Sequence, residues 1–416
     1  MPAHAVNRRD MLSLAAGAVL GGGALARAQS AETPIPMQRT LTFDPSLPAG
    51  VPSEARLEAL PGKAPLIKLS YRPPNYETPL SAFRTVITPN DSFFVRYHLA
   101  DIPEVDAAKW RLVIDGDGAT KPFDLTFDQL KGDYQPVEIV AVCQCSGNRR
   151  GLASPHVPGV QWGVGAMGNA RWKGARLKDI LAKAGLKDEA IEVAFEGADG
   201  PVLDKTPDFV KSLPAWKALD QDTIIAYEMN GAPLPHFNGF PARIVAPGWT
   251  ATYWMKHVTR LEPRLKPLDN FWMKSAYRVP ARLFPSTQRF TSQETPTNTP
   301  ITEIMVNSLF TSYVRRTQPS GDVKVKGIAW DGGYGIASVE LSVDAGNTWR
   351  SATLEDDLGR YSFRGWEARL TGLPGGQVEV LAKATNAIGQ SQPMTAIVNP
   401  AGYHHNAVAR LTLDMT

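Results

Sequence analysis

Apolar residues fall into short runs that alternate with polar positions, and Gly, Pro, Asn and Asp interrupt them at close intervals. That rhythm predicts strands more than helices. Strands are expected at Trp110–Ile114, Val137–Val142, Ile191–Phe195, Thr223–Glu228, Ala242–Ala246 and His257–Leu261. Leu177–Ala184 has the spacing of a short helix, with Gly185 placed as its C-cap. Asp91–His98 predicts a further strand on which Phe94, Arg96 and His98 share a face, making it a candidate site wall. Together these elements define a mixed, strand-rich α+β domain.

The pattern changes near Pro285–Pro300, where Ser, Thr, Gln, Asn and Pro crowd together. Beyond it come alternating runs at Val323–Gly327, Ile336–Val343, Gln377–Thr385 and Ala407–Leu413, with turn residues at Asp344–Asn347 and Pro374–Gly376. Regular turns without helix signals predict an immunoglobulin-like β-sandwich. Before the α+β domain, prolines recurring from Pro34 to Pro79, among them Pro45, Pro48, Pro52, Pro73 and Pro74, argue against long regular elements and predict an extended arm. The expected order is therefore a targeting segment (1–28), a Pro-rich arm (29–89), the α+β domain (90–285), a linker (286–300) and the sandwich (301–416).

The first residues carry their own signal. Asn7-Arg8-Arg9-Asp10-Met11-Leu12 precedes an apolar run from Ser13 to Leu25 and then Ala26-Arg27-Ala28, the form of a twin-arginine export signal with a small-x-small cleavage site. Export of the folded chain to the periplasm is expected, and that route fits a cofactor inserted before export. The apolar run is too short and glycine-rich for a membrane span, and no later segment reaches the needed length. A formal charge of +3, spread over mixed acids and bases with no basic run among aromatics, gives no reason to expect nucleic acid.

The chemistry concentrates at the only two cysteines, in Ala141-Val142-Cys143-Gln144-Cys145-Ser146-Gly147-Asn148-Arg149-Arg150. A thiolate is a soft, anionic metal ligand, and nearby guanidiniums stabilise both its charge and an oxyanion brought to the metal. A disulfide across one residue would close a small, strained ring. Zinc would call for a second cysteine pair or a spaced histidine pair, and neither follows. The segment reads as a metal or nucleophile site built for an anion.

Several motifs recur in one order: Arg96-Tyr97-His98, Cys145–Arg150, Ala170–Leu177, Ala226–Pro235, Gly239–Arg243, Tyr253–Lys256, Val325–Gly333 and Ser342–Trp349. In this the chain, from about Tyr71 onward, resembles the sulfite oxidase family of molybdenum enzymes, and in particular the catalytic subunits of bacterial sulfite:cytochrome c oxidoreductases. The resemblance implies a molybdenum held by one pyranopterin dithiolene (the molybdenum–molybdopterin cofactor) and by Cys145, with Cys143 a packed neighbour. It implies a cationic substrate pocket formed by Arg96, Arg150, Trp162 and, less directly, Arg364, with Tyr277 as the site tyrosine. It gives the pterin and its phosphate to His98, Arg176, Arg243 and Lys256, with Asn238 standing where many animal members carry histidine. Ala276 replaces an acid before the tyrosine, Pro158 replaces a lysine, and the loop from Arg150 to Trp162 is short.

No haem or flavin domain is recognised, so one redox centre is expected, passing electrons to a separate c-type cytochrome. The expected activity is oxidation of sulfite. The alternatives are a sulfane-sulfur dehydrogenase subunit of a thiosulfate-oxidising complex, or a non-catalytic binding module that keeps the fold. A homodimer and a heterodimer with a cytochrome subunit are both open.

Overall fold

A computed structural model describes residues 39–42, 54–282, 298–315 and 322–415. The export signal and most of the expected linker lie outside them. The segment read as an extended arm is, where described, a sheet. Strands β1 (Arg39–Thr42), β2 (Glu54–Ala59), β3 (Pro65–Ser70), β4 (Asn75–Glu77) and β5 (Val95–Arg96) pair in sequence as an antiparallel meander. The prolines shorten these strands without preventing them, since none of the five exceeds six residues. The strand expected over Asp91–His98 shrinks to Val95–Arg96 because a turn precedes it, closed by the Ser92 N–H on Pro89 O at 3.1 Å.

The α+β domain adds β6 (Arg111–Ile114), β7 (Phe123–Thr126), α1 (Phe127–Gly132), β8 (Pro136–Gln144), β9 (Met167–Arg176), α2 (Leu177–Lys183), β10 (Glu192–Gly197), β11 (Val210–Pro214), β12 (Ile224–Met229), β13 (Ala232–Pro233), β14 (Arg243–Val245) and β15 (Val258–Arg264). One sheet runs β11-β10-β15-β6-β7; the other runs β13-β12-β9-β8, with β14 also on β12. Helix α1 begins with a capping box, in which Thr126 accepts from the Gln129 amide and the Gln129 side chain accepts from the Thr126 amide. Helix α2 stops at Gly185, whose φ of +63° a Cβ-bearing residue rarely adopts. Strand β8 is exposed at its start and wholly buried from Ala141 to Gln144, so it carries the cysteine segment from the surface into the core.

The C-terminal part contains β16 (Arg278–Pro280), β17 (Asn298–Pro300), β18 (Asn307–Arg315), β19 (Val323–Trp330), β20 (Ile336–Ser342), β21 (Arg350–Ser351), β22 (Thr353–Leu354), β23 (Arg364–Leu370), β24 (Gln377–Asn386) and β25 (Ala409–Asp414). Two four-stranded sheets, β18-β19-β23-β22 and β21-β20-β24-β25, enclose Phe310, Val325, Leu341, Trp366, Val380 and Leu411. Gly327 is a glycine for a local reason: a Cβ there would stand 2.1 Å from the Trp366 ring and 2.3 Å from Leu309 O. The fold is thus an α+β domain followed by an immunoglobulin-like sandwich.

Residues of the two domains meet around the cysteine segment. Gln144 Oε1 accepts from Trp330 Nε1 at 2.6 Å, and the Val142 amide donates to Tyr361 O at 2.9 Å. Arg149, in a left-handed conformation at φ +68°, donates to Asn307 Oδ1 at 2.5 Å and to Ser308 O at 2.6 Å. The site loop is therefore anchored from both sides.

Candidate active site

Strand β8 ends at Gln144, and Cys145 begins a tight turn that the 163–166 loop holds in place. The Cys145 amide donates to Ala166 O at 2.9 Å, Asn148 Oδ1 accepts from the Ala166 amide at 3.1 Å, and the Arg149 amide donates to Gly163 O at 2.8 Å. The loop is fixed in turn by Glu77 of β4, whose carboxylate accepts from the Gly163 and Gly165 amides at 2.8 and 2.7 Å. Burial raises the Glu77 carboxyl to about 7, against the lowering effect of those two amides. Both cysteines are free.

A cavity opens beside this turn. Its wall brings together Arg96, His98, Cys143, Cys145, Asn238, Arg243, Lys256 and Tyr277, together with Asp199 and Phe209. Counting the solvent at its open mouth, the space between these side chains is about 630 Å³. The aromatic floor behind it is packed edge to face, with Phe93 against Trp172 at 5.7 Å and Trp172 against Trp254 at 5.6 Å.

The wall is cationic. Arg243, buried on β14, donates to Asn238 O at 2.9 Å, to Trp254 O at 3.0 Å and to Cys143 Sγ at 3.8 Å, while its Nε finds no partner among the described residues. Burial pushes the Cys143 thiol up to about 11, with Arg243 opposing. Lys256 donates to Arg96 O at 2.7 Å and lies over the Tyr97 ring. Desolvation holds its pKa well below the usual lysine value, with Asp199 opposing that shift. The Arg96 guanidinium contacts Asn75 Oδ1 at 3.3 Å and the Tyr97 carbonyl. Among the described residues, none of Arg96, Arg243 and Lys256 forms an ion pair with a carboxylate.

Tyr277 and His98 form a pair. Tyr277 Oη contacts His98 Nε2, and the His98 ring stacks on Phe209 at 3.6 Å. Burial, reinforced by Arg96, Lys256 and Lys211, keeps His98 neutral, and burial raises the Tyr277 phenol above its usual value. Both groups therefore stay uncharged at neutral pH. Tyr277 has φ +58°, an uncommon conformation for an aromatic residue.

Other expected site residues lie outside the cavity wall. Arg150 is next to it, donating to Ala401 O at 2.7 Å and Val160 O at 3.1 Å, with Gly147 and Gly159 leaving room for its guanidinium. Trp162 is fully buried, and its indole N–H has no partner among the described residues. Arg176 stands at the start of α2, where its Nε donates to Gln221 O at 3.2 Å. Arg364 opens β23 in the sandwich and its Nη1 meets Asp357 at 3.0 Å, so its charge is already compensated away from the cavity.

Sequence reasoning missed Lys63. It is buried and donates to Asn90 O at 2.7 Å, Phe93 O at 3.1 Å and Asn238 Oδ1, and desolvation lowers it to about 7. Asn238 in turn donates to Phe94 O at 3.0 Å, so Lys63 sets its orientation. No local signal marked Lys63, since it lies 175 positions from Asn238.

Residues 98–272 match the family profile described as "Oxidoreductase molybdopterin binding domain", and residues 293–415 match "Mo-co oxidoreductase dimerisation domain". The chain is 36% identical over 344 residues to the mitochondrial sulfite oxidase of Drosophila melanogaster, covering 78% of this chain and 58% of that enzyme. It is 33% identical to the sulfite oxidase of Gallus gallus, covering 78% of this chain and 72% of the relative. The chain belongs to the sulfite oxidase family of molybdenum enzymes. A solved structure, the sulfane dehydrogenase SoxCD from Paracoccus pantotrophus, shares its fold with a TM-score of 0.72 at 23% identity, over 95% of this chain and 94% of that one.

The residues of this family member fit a molybdenum–pterin cofactor. A free thiol at the cavity wall supplies the soft ligand, and the orphaned Nε of buried Arg243 supplies an unused donor for an anionic group. Cys145, Arg243, Lys256, Asn238 and His98 are the residues that would hold it. Among the described residues no helix is long and apolar enough to cross a membrane.

Proposed function

We propose that the chain is a sulfite dehydrogenase, oxidising sulfite to sulfate at a molybdenum centre ligated by Cys145 and passing electrons one at a time to a separate c-type cytochrome. One observation carries this reading: in a member of the sulfite oxidase family, the Cys145 thiol shares its cavity with Arg96, Arg243 and Lys256, none of which forms an ion pair with a carboxylate among the described residues. Bound there, the molybdenum–pterin group would supply oxygen-atom transfer and two-electron redox chemistry. The reaction balances with water as oxygen source: sulfite and water give sulfate, two protons and two electrons.

The chain's own residues bind the anion and fix its orientation. Guanidiniums such as Arg96 and Arg150 present paired donors that match an oxyanion, and preorganised charge of this kind stabilises a transition state without reorganising. Tyr277 keeps its phenolic proton and so acts as a hydrogen-bond donor toward substrate or product oxygen, with neutral His98 fixing its ring. The Arg8-Arg9 motif supports export to the periplasm, and the dimerisation-type domain supports association, either with a second copy or with a cytochrome subunit.

The fold likeness to a sulfane dehydrogenase, which spans nearly the whole of both chains, supports a second reading in which sulfane sulfur is the substrate. One assay separates the two. The purified molybdenum-containing protein should reduce cytochrome c with sulfite alone. Reduction only with protein-bound sulfane sulfur would favour the second reading, and absence of molybdenum would favour a non-catalytic module.

A further inference from the structure

Arg150 and Tyr277, the groups given to the substrate anion above, are both held by one short segment of the C-terminal domain. Ala401 O accepts Arg150 Nε at 2.7 Å, and the Arg150 guanidinium lies 5.1 Å from the centre of the Tyr403 ring. The same ring stacks on Tyr277, with centroids 5.6 Å apart and planes at 21°. Gly402 between them has φ +61°, and a Cβ there would stand 2.8 Å from Arg150 Cγ, so the chain passes directly against the arginine. Asn399 clamps the Tyr403 backbone, accepting from its amide at 3.0 Å and donating to its carbonyl at 2.8 Å. The next residue, His404, donates its amide to Ser146 O at 3.4 Å, one position from Cys145.

Every part of this segment is therefore fixed before it meets the site. Tyr277, in its uncommon left-handed conformation, meets the His98 ring edge to face at 5.7 Å as well as stacking on Tyr403. We propose that Tyr403 is a positioning residue, supplied by the C-terminal domain, whose ring sets the angle at which Tyr277 and Arg150 meet the substrate anion. This rests on the reading of the cavity as an oxyanion site, and it makes the sandwich a working part of that site as well as an association module.

The test compares Tyr403→Phe and Tyr403→Ala in the full-length molybdenum-containing protein, by sulfite kinetics and by calorimetric binding of sulfate. Tyr403→Ala should raise KM for sulfite and Kd for sulfate about tenfold while kcat falls less than about threefold, because the stack and the cation–π contact are both lost. Tyr403→Phe keeps both ring contacts, losing only the bond its hydroxyl accepts from the Tyr277 backbone amide, and should restore both constants to within about threefold of wild type. Should Tyr403→Ala fold poorly or lose molybdenum, Tyr403→Leu, which fills the space without a π face, replaces it with the same expectation. Unchanged KM and Kd in the Ala or Leu variant, or a Phe variant as impaired as Ala, would overturn the proposal. A wild type that binds sulfate but does not oxidise sulfite would defeat the substrate reading alone, and the sulfate constants would then decide about Tyr403.

Discussion

Cations in the cavity wall and cations on the sandwich are held in opposite ways. On the sandwich, Lys324, Lys326, Lys383 and Arg410 each meet a glutamate at 2.8 to 3.3 Å in partly exposed positions. Such pairs contribute only ~0–1 kcal/mol each, but they leave no charge unanswered. In the cavity, Arg96, Arg243 and Lys256 end on carbonyls, an amide side chain and a thiol instead. Neutral acceptors orient a cation without neutralising it. On the proposed function, the difference separates charge offset at a surface from charge kept available for an anionic cofactor and substrate.

The comparison is most severely tested in the sandwich core. Trp366 is fully buried over Gly327, and Trp366→Ala should cost ~3–5 kcal/mol of stability. Chemical denaturation measures the loss, and KM for sulfite in the folded fraction should stay near wild type. Next is Arg243→Met, which keeps bulk but removes the donors to Asn238 O, Trp254 O and Cys143 Sγ. Its pterin content, read by fluorescence after oxidation, should fall by ~10–100-fold at matched protein concentration. Arg150→Ala should raise KM for sulfite about tenfold, whereas Arg364→Ala, whose guanidinium already meets Asp357, should leave it unchanged. Lys326→Ala should shift stability by less than ~1 kcal/mol and change neither kinetic constant.

Strand-period alternation in the sequence located most of the strands that carry the site, because β8, β12, β14 and β15 combine apolar runs with nearby turn residues. It passed over β23, where Gly365 beside Trp366 breaks the apolar rhythm although both are buried, and it read β2 to β4 as an arm because prolines dominate the composition there. At the site, motif resemblance selected seven residues that the fold gathers on one cavity: Arg96, His98, Cys145, Asn238, Arg243, Lys256 and Tyr277. It also pointed to Arg150 and Trp162, which lie outside the cavity wall, and to Arg176 and Arg364, which sit elsewhere with partners of their own. Lys63 and Tyr403 escaped notice because their importance arises only when distant segments close on one another, a long-range consequence of topology that local pattern does not carry.

The central claim is that Cys145, and not Cys143, completes a molybdenum site. Metal analysis of wild type, Cys143→Ala and Cys145→Ser, combined with sulfite-dependent reduction of cytochrome c, tests it most directly. Wild type should contain molybdenum and turn over sulfite, Cys143→Ala should retain turnover to within ~10-fold, and Cys145→Ser should lose more than ~100-fold, beyond the usual effect of residues outside the ligand set. Normal molybdenum content with normal turnover in Cys145→Ser would contradict the account.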